Sequence, residues 1–327
     1  MTRLHGECWA VTDGRAGNDR QALALAEALG LPFRQLVLGL RAPWSWFAPR
    51  LLPGGRLALP AAQRRGIVVP PWPAVIVGCG RAAAYYTRLV RELSEGGTHA
   101  VQILDPRLDP AHWDTVIAPR HDGLVGPNVL HPLGSLNPID NAWLAEGREV
   151  CPAFGDLPQP RVAVLVGGPR KGMPIDAAYA QALAAPLVAR QWRDGGSIIA
   201  LASRRTPPAV VAVLRERFAG IPGMVWSNEE DGINPYPAAM GWADRLVVTP
   251  DSINMLSEAC AVGCPVQTLV RAALPDKFAR FHRALREAGL LHDLDDEISA
   301  RQTPLRETRA IAETVRQRIA ARTASYA

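Results

Sequence analysis

The chain has 327 residues, about twice a usual domain length, so two domains are expected. Hydrophobic residues make up 48% and charged residues 20%, which excludes a disordered, collagenous or low-complexity chain. The net charge of +5 is almost wholly arginine, Lys171 and Lys277 being the only lysines, and it is spread along the chain rather than gathered with aromatics into a basic stripe. Nucleic-acid binding is therefore not expected.

Apolar runs such as residues 198–202 fall far short of the roughly 18 to 20 residues a membrane-spanning helix needs. The N-terminus reaches the polar run Thr12-Asp13-Gly14-Arg15 too soon for a secretory leader, so a cytoplasmic location is expected. Five scattered cysteines read as reduced structural thiols; Cys260 and Cys264 lie a helical turn apart, with no second ligand pair to complete a zinc site.

Short apolar runs alternate with longer amphipathic segments, which predicts repeated βα units, a parallel sheet and the α/β class. Strands are expected at 8–13, 75–80, 100–104 and 115–118, with helices at 19–29 and 82–94. Residues 42–73 mix Trp44, Trp46, Phe47, Leu51 and Leu52 with Arg50, Arg56, Arg64 and Arg65. That segment reads as an excursion packed within the N-terminal domain, or as an amphipathic patch offering contact with the inner-membrane surface. Around 137–160 the periodicity fades and prolines accumulate, so the expected organisation is an N-terminal domain over 1–140, a linker over 141–160 and a second domain over 161–302. The second domain should hold strands at 161–166, 197–202, 224–226, 245–248 and 266–269, with helices at 175–193, 208–218 and 252–261. Residues 303–327 are expected to form a helix that packs back on the first domain.

In open parallel sheets ligands bind beyond the carboxyl ends of the strands, so the loops there are the ones to read for chemistry. Asp13, Gly14 and Gly17 precede a helix, as an anion cradle or as a plain turn capped by Asn18 or Asp19. Gly167 and Gly168, followed by Arg170 and Lys171, allow close backbone approach to a ligand or make a simple glycine turn; the Walker spacing is missing. Ser203, Arg204 and Thr206 set hydroxyls beside a guanidinium at a helix start, suiting a phosphate or a surface turn capped by Thr206. In a fourth loop a strand enters Thr249-Pro250-Asp251-Ser252 and then a helix carrying Glu258. Ser252 reads as an anion site or an N-cap, and a carboxylate on an apolar helix asks for a partner. His121 and Asp122 follow a strand as an acid/base pair or as an exposed loop histidine, and Asn234 and Tyr236 sit in a further loop. The run Asp293-Leu294-Asp295 reads as a solvated turn, so no metal site is expected.

The stretch from Ser252 to Glu258, followed by Ala259, Gly263 and Pro265, resembles the nucleotide-sugar site of GT-B glycosyltransferases such as the peptidoglycan N-acetylglucosaminyltransferase. The UDP-N-acetylglucosamine 2-epimerases share that fold. Over nearly its full length the chain is also similar to the mitochondrial-fission "elongated mitochondria" family. That similarity runs through Asp13-Gly-Arg-Ala-Gly-Asn, Ile117-Ala-Pro-Arg-His-Asp-Gly, Gly134-Ser-Leu-Asn, Gly167-Gly-Pro, Ser203-Arg-Arg-Thr-Pro, Asn234-Pro-Tyr and Thr249-Pro-Asp-Ser-Ile-Asn-Met-Leu-Ser-Glu. The first resemblance implies two Rossmann-like domains facing across a cleft and metal-independent glycosyl transfer. The nucleotide-sugar, UDP- or another NDP-linked, is then a substrate rather than a cofactor. Ser252, Thr249, Gly167, Gly168 and Arg204 would hold its diphosphate and Glu258 its ribose, while Asp13 or His121 would deprotonate an unknown acceptor. An epimerase or hydrolase of the same fold is the alternative within that resemblance. The second resemblance implies a non-catalytic adaptor, since the plant member recruits a dynamin.

Overall fold

The computed structural model describes residues 6–64, 66–298 and 300–325. In chain order the elements are β1 (Cys8–Thr12), α1 (Ala16–Ala28), β2 (Phe33–Val37), α2 (Trp44–Phe47), α3 (Ala61–Arg64), β3 (Val75–Cys79), α4 (Arg81–Leu93), β4 (His99–Ile103), β5 (Thr115–Ile117) and β6 (Val129–Leu130). They continue with α5 (Asn141–Val150), β7 (Arg161–Val166), α6 (Ala177–Asp194), β8 (Ser197–Ala202), α7 (Pro208–Arg217), β9 (Gly223–Trp226), α8 (Tyr236–Trp242) and β10 (Arg245–Val248). The chain then closes with α9 (Ile253–Cys260), β11 (Val266–Thr268), α10 (Asp276–Glu287), β12 (His292–Asp293) and α11 (Thr308–Ser325).

The chain divides into two compact units, one running to Pro138 and resuming at Glu307, the other running from Ile139 to Arg306. Each holds a six-stranded sheet, ordered β2-β1-β3-β4-β5-β6 in the first and β12-β11-β10-β7-β8-β9 in the second, and every strand pair is parallel. Strands such as β3, β4 and β8 are buried residue by residue, because helices cover both faces of a parallel sheet. That is why their sequences are unbroken apolar runs rather than alternating ones. Among the described residues, no helix is long and apolar enough to cross a membrane.

One segment differs from the sequence expectation. Residues 141–160, read as a linker, are folded into the second unit. Asp140 caps α5 by accepting from the Trp143 amide (2.9 Å), and a Cβ on Gly147 would come within 2.5 Å of the Pro237 carbonyl, so a glycine there lets α5 lie directly on α8. Arg148 fastens the pair by donating to the Gly241 carbonyl (2.8 Å). The C-terminal segment is tied to the first unit by Glu307, whose carboxylate accepts the backbone amides of Leu133 (2.9 Å) and Gly134 (3.0 Å). Thr308 then bonds both the amide and the carbonyl of Asn137, and Ala312, Val315 and Ile319 enter the core beside Leu25 and Leu29.

Residues 42–73 cover the first core with Trp44, Leu51 and Trp72. Arg81 holds α2 in place by donating to the carbonyls of Ser45, Trp46 and Ala48. The five thiols are unpaired, and burial pushes Cys8 and Cys264 up to about 12.

Candidate functional site

Sheet order fixes where a ligand can sit. In the second unit the chain leaves β7 towards β8 and β9, then returns to place β10, β11 and β12 on the other side, so the loops after β7 and β10 diverge. A crevice at such a switch point, outside the carboxyl ends of the strands, is where doubly wound sheets bind ligands. The two loops are Gly167-Gly168-Pro169 and Thr249-Pro250-Asp251-Ser252.

Asp251 locks them together. Its buried carboxylate accepts the Thr249 hydroxyl (2.6 Å), the Gly168 amide (3.0 Å) and the Arg205 guanidinium (2.8 Å), while the Thr249 oxygen accepts the Gly167 amide (2.8 Å). The Thr206 hydroxyl lies 2.9 Å from the Val166 carbonyl and 2.6 Å from that of Gly167, and accepts the Ser203 amide (2.8 Å), which joins the loop after β8 to the same cluster. From α10, buried His282 reaches the Pro250 carbonyl with Nε2 (3.1 Å); a carbonyl only accepts, so this nitrogen carries the proton.

These contacts bear on three readings of the loops. A Cβ on Gly167 would stand 2.2 Å from both Asp251 oxygens, and one on Gly168 2.2 Å from the Arg205 carbonyl. The paired glycines therefore admit the protein's own loops, and their amides are taken by Thr249 and Asp251. Arg204 and Arg205 are both exposed, and it is Arg205 that makes the carboxylate contact. Thr206 ties loops rather than capping α7, whose N-cap is Pro207 with Pro208 in the first turn.

What the lock presents is the start of α9. Ser252 caps that helix by accepting the Met255 amide (3.3 Å), and the helix N-terminus, with its partial positive charge, lies at the carboxyl edge of β10. Arg170 stacks its guanidinium over Phe278 (5.7 Å), and burial together with the nearby Arg205 charge draws it below the ordinary guanidinium range. Arg205 is ion-paired with Asp251, so Arg170 supplies the uncompensated positive charge of this rim. Glu258, only 2% exposed, accepts a very short hydrogen bond from the Tyr236 hydroxyl, and Asn234 accepts the Tyr236 amide (3.0 Å). Asn234, Tyr236 and Glu258 are thus one group, and Tyr236 opens α8 rather than lying in a loop.

In the first unit, the loops after β1 and β3 occupy the corresponding switch point. Asp13 accepts the Arg15 amide (3.2 Å) and the Asn18 side-chain amide (2.9 Å). Helix α1 contains Gly17 and begins just after Gly14 and Arg15; Arg15 is its N-cap, so neither Asn18 nor Asp19 has that role. His121 and Asp122 lie in a short turn after β5, 3.8 Å apart with both side chains almost wholly shielded, which corrects the reading of an exposed loop histidine. Three strand spacings, about 14 Å, separate β1 from β5, so Asp13 is not brought to that pair. Among the described residues no group of three or more His, Cys, Asp or Glu is placed to hold a metal ion. Asp293 is paired with Arg286.

Sequence reasoning missed Arg205 and His282. Adjacent arginines in one turn look alike until the backbone sets which of them reaches Asp251, and His282 comes from a distant helix with no motif around it.

The model of the Mitochondrial fission ELM1 family matches residues 16–319. The chain belongs to that family. The mitochondrial fission protein ELM1 of Arabidopsis thaliana is 30% identical over 279 residues, covering 76% of this chain and 65% of that protein, so this chain spans just under two thirds of it. An uncharacterized Rickettsia prowazekii protein is 24% identical over 294 residues, covering 79% of this chain and 81% of its own length. Among solved structures, the UDP-GlcNAc 2-epimerase of Methanocaldococcus jannaschii matches with a TM-score of 0.59 at 12% identity, covering 95% of this chain and 99% of that one. The Staphylococcus aureus MnaA–UDP co-structure gives 0.54 at 12%, covering 96% of both chains. The Neisseria meningitidis UDP-GlcNAc 2-epimerase bound to UDP-GlcNAc gives 0.50 at 12%, covering 95% and 91%. At this identity the likeness shows the fold: this ELM1-family member has two Rossmann-like domains of the GT-B class.

Proposed function

We propose that this ELM1-family chain binds a nucleoside-diphospho-sugar along the carboxyl edge of its second sheet and acts on it as a metal-independent, GT-B-type glycosyltransferase. The observation that carries the reading is the switch-point lock, which spends Asp251 and two glycines on fixing Ser252, the α9 N-terminus and Arg205. A capped helix start flanked by arginines is an anion site, and it can stabilise the charge that develops on a leaving diphosphate. Glu258 with Tyr236 takes the ribose, and Asn234 lies on the base side. Four strand spacings from β9 to β11, about 19 Å, give room for base, ribose, diphosphate and sugar in a row. Two of the similar structures hold UDP or UDP-GlcNAc, which supports the ligand class.

A thermal-shift panel of nucleoside diphosphates and nucleotide-sugars tests it. One nucleotide at a hundredfold excess over Kd is expected to add about 2.7 kcal/mol of stability, and Arg205→Gln and Glu258→Gln are expected to abolish the gain. No shift with any nucleotide would sink the reading, and product analysis then separates transfer from epimerisation or hydrolysis.

A second reading, an interaction protein at a membrane surface, is favoured by one patch. Trp46 is 71% exposed and Phe47 49%, beside exposed Leu57, Arg50 and Arg56, a combination that suits an anionic bilayer. Co-sedimentation with phosphatidylglycerol vesicles is expected to fall severalfold when Trp46 and Phe47 are both changed to Ser; unchanged sedimentation would remove this reading.

A further inference from the structure

The carboxyl edge of the second sheet continues past the α9 turn into a cavity that the sequence motifs border only at Pro250. It lies between the segments that follow β7 and β11, is open to solvent on one side with a volume of about 220 Å3, and is lined by Met173, Ile175, Tyr179, Pro250, Val270 and Leu274. Asp176 and Arg271 stand exposed at the rim, and each polar side chain in the wall also holds a backbone group. Asp176 caps α6 by accepting the Tyr179 amide (2.8 Å), the Tyr179 hydroxyl donates to the Leu269 carbonyl (2.8 Å), and Arg271 donates to the Ala178 carbonyl (3.1 Å). The buried floor of Met173, Ile175, Tyr179 and Pro250 offers a hexose few partners, so hydroxyls buried against it are costly.

Gly172, Met173 and Leu274 are shared with an adjoining groove of about 530 Å3, which passes Lys171 and the Arg170 guanidinium stacked on Phe278. An apolar chamber with two cations at its mouth complements an amphiphile, with an apolar arm inside and an anionic group outside. A cavity of about 150 Å3 accommodates a benzene ring, so one of about 220 Å3 holds an arm of roughly six to ten carbon atoms.

We infer that the ligand of this unit carries an alkyl or acyl arm that fills this cavity while its phosphate lies against Arg170 and Lys171. The inference deepens the nucleotide-sugar reading by making the donor an acylated one, and rests on it for the nucleotide but not for the arm.

The experiment is a calorimetric titration of alkyl phosphates, from ethyl to dodecyl and below their micelle concentrations, against inorganic phosphate. Affinity is expected to rise about fourfold per methylene and to level off near eight carbons. Ala272→Trp, at the exposed rim of the cavity, should flatten the series and leave inorganic phosphate binding unchanged, whereas Lys171→Gln should weaken every member by a similar factor. A series with no dependence on chain length, one that keeps climbing past ten carbons, or one unaltered in Ala272→Trp would overturn the inference. UDP titrated into the same protein reads the nucleotide separately. A levelling alkyl series without UDP binding keeps the arm and sinks the nucleotide, and UDP binding with a flat series does the reverse.

Discussion

Gly167→Ala is expected to destabilise the second unit by roughly 3 kcal/mol, and most of that cost should vanish when Asp251 is removed as well. The added methyl group would stand 2.2 Å from both oxygens of a buried carboxylate that three donors hold in place, so neither side can yield cheaply. Pushing the carboxylate aside strands the buried Gly168 amide, a loss of about 1–3 kcal/mol on its own. Asp251→Ala alone should cost a similar amount, because it orphans that amide and frees the Thr249 hydroxyl. In the double variant the clash has no second partner, so the two costs are expected to fall short of their sum by about 2 kcal/mol. Urea unfolding of the two single variants and the double measures this coupling. Strict additivity would mean that the glycine answers to something other than Asp251, and the lock as described would be wrong.

That lock marks the limit of what the sequence reveals. Strands β7, β8 and β10 are legible because a strand covered on both faces must be apolar throughout, and the loops after them are candidates once a parallel sheet is inferred. The order of the strands is another matter: nothing in the local pattern says that β10 returns beside β7, and only that pairing turns two separate loops into one crevice. The edge strand β2, Phe-Arg-Gln-Leu-Val, escapes notice because its residues alternate between exposed and half-buried and carry polar side chains. Helix α8 hides behind Asn234-Pro235-Tyr236-Pro237, which has the chemistry of a turn. Its prolines occupy the cap and first turn, where a missing amide costs nothing. The glycine pair shows the opposite failure. Its presence was plain, but a glycine that admits a ligand and one that admits a neighbouring carboxylate have the same sequence, and only the position of Asp251 separates them.

Acid is expected to weaken the fold well above the range in which carboxylates titrate, through His99 and His282. Burial holds both imidazoles down to about 4, against an ordinary value near 6.5. Around His99, Arg322, Arg318 and Arg91 add to the effect while Asp114 opposes it; around His282 the Pro250 carbonyl and Asp293 oppose it and Arg286 adds to it. His99 has Thr115 within 3.2 Å of Nε2, and the Nδ1 atoms of both rings are buried without a hydrogen-bond partner, so a second proton on either ring would be unsatisfied. Well above pH 6.5 the rings are neutral in both the folded and unfolded chains and contribute no pH dependence. As pH falls from 6.5 towards 4 the unfolded chain binds protons that the folded one refuses, so stability drops. By linkage the loss at pH 5 is roughly 2 kcal/mol for each ring, about 4 kcal/mol together. Glutamine keeps an amide donor near the position of Nε2 and does not titrate. His282→Gln should therefore cost little at pH 7, preserve the bond to Pro250 and remove about half of the drop between pH 7 and pH 5. His99→Gln should remove the other half. Urea midpoints at the two pH values decide the matter: if both variants lose as much stability as the parent on acidification, these histidines are not the groups responsible.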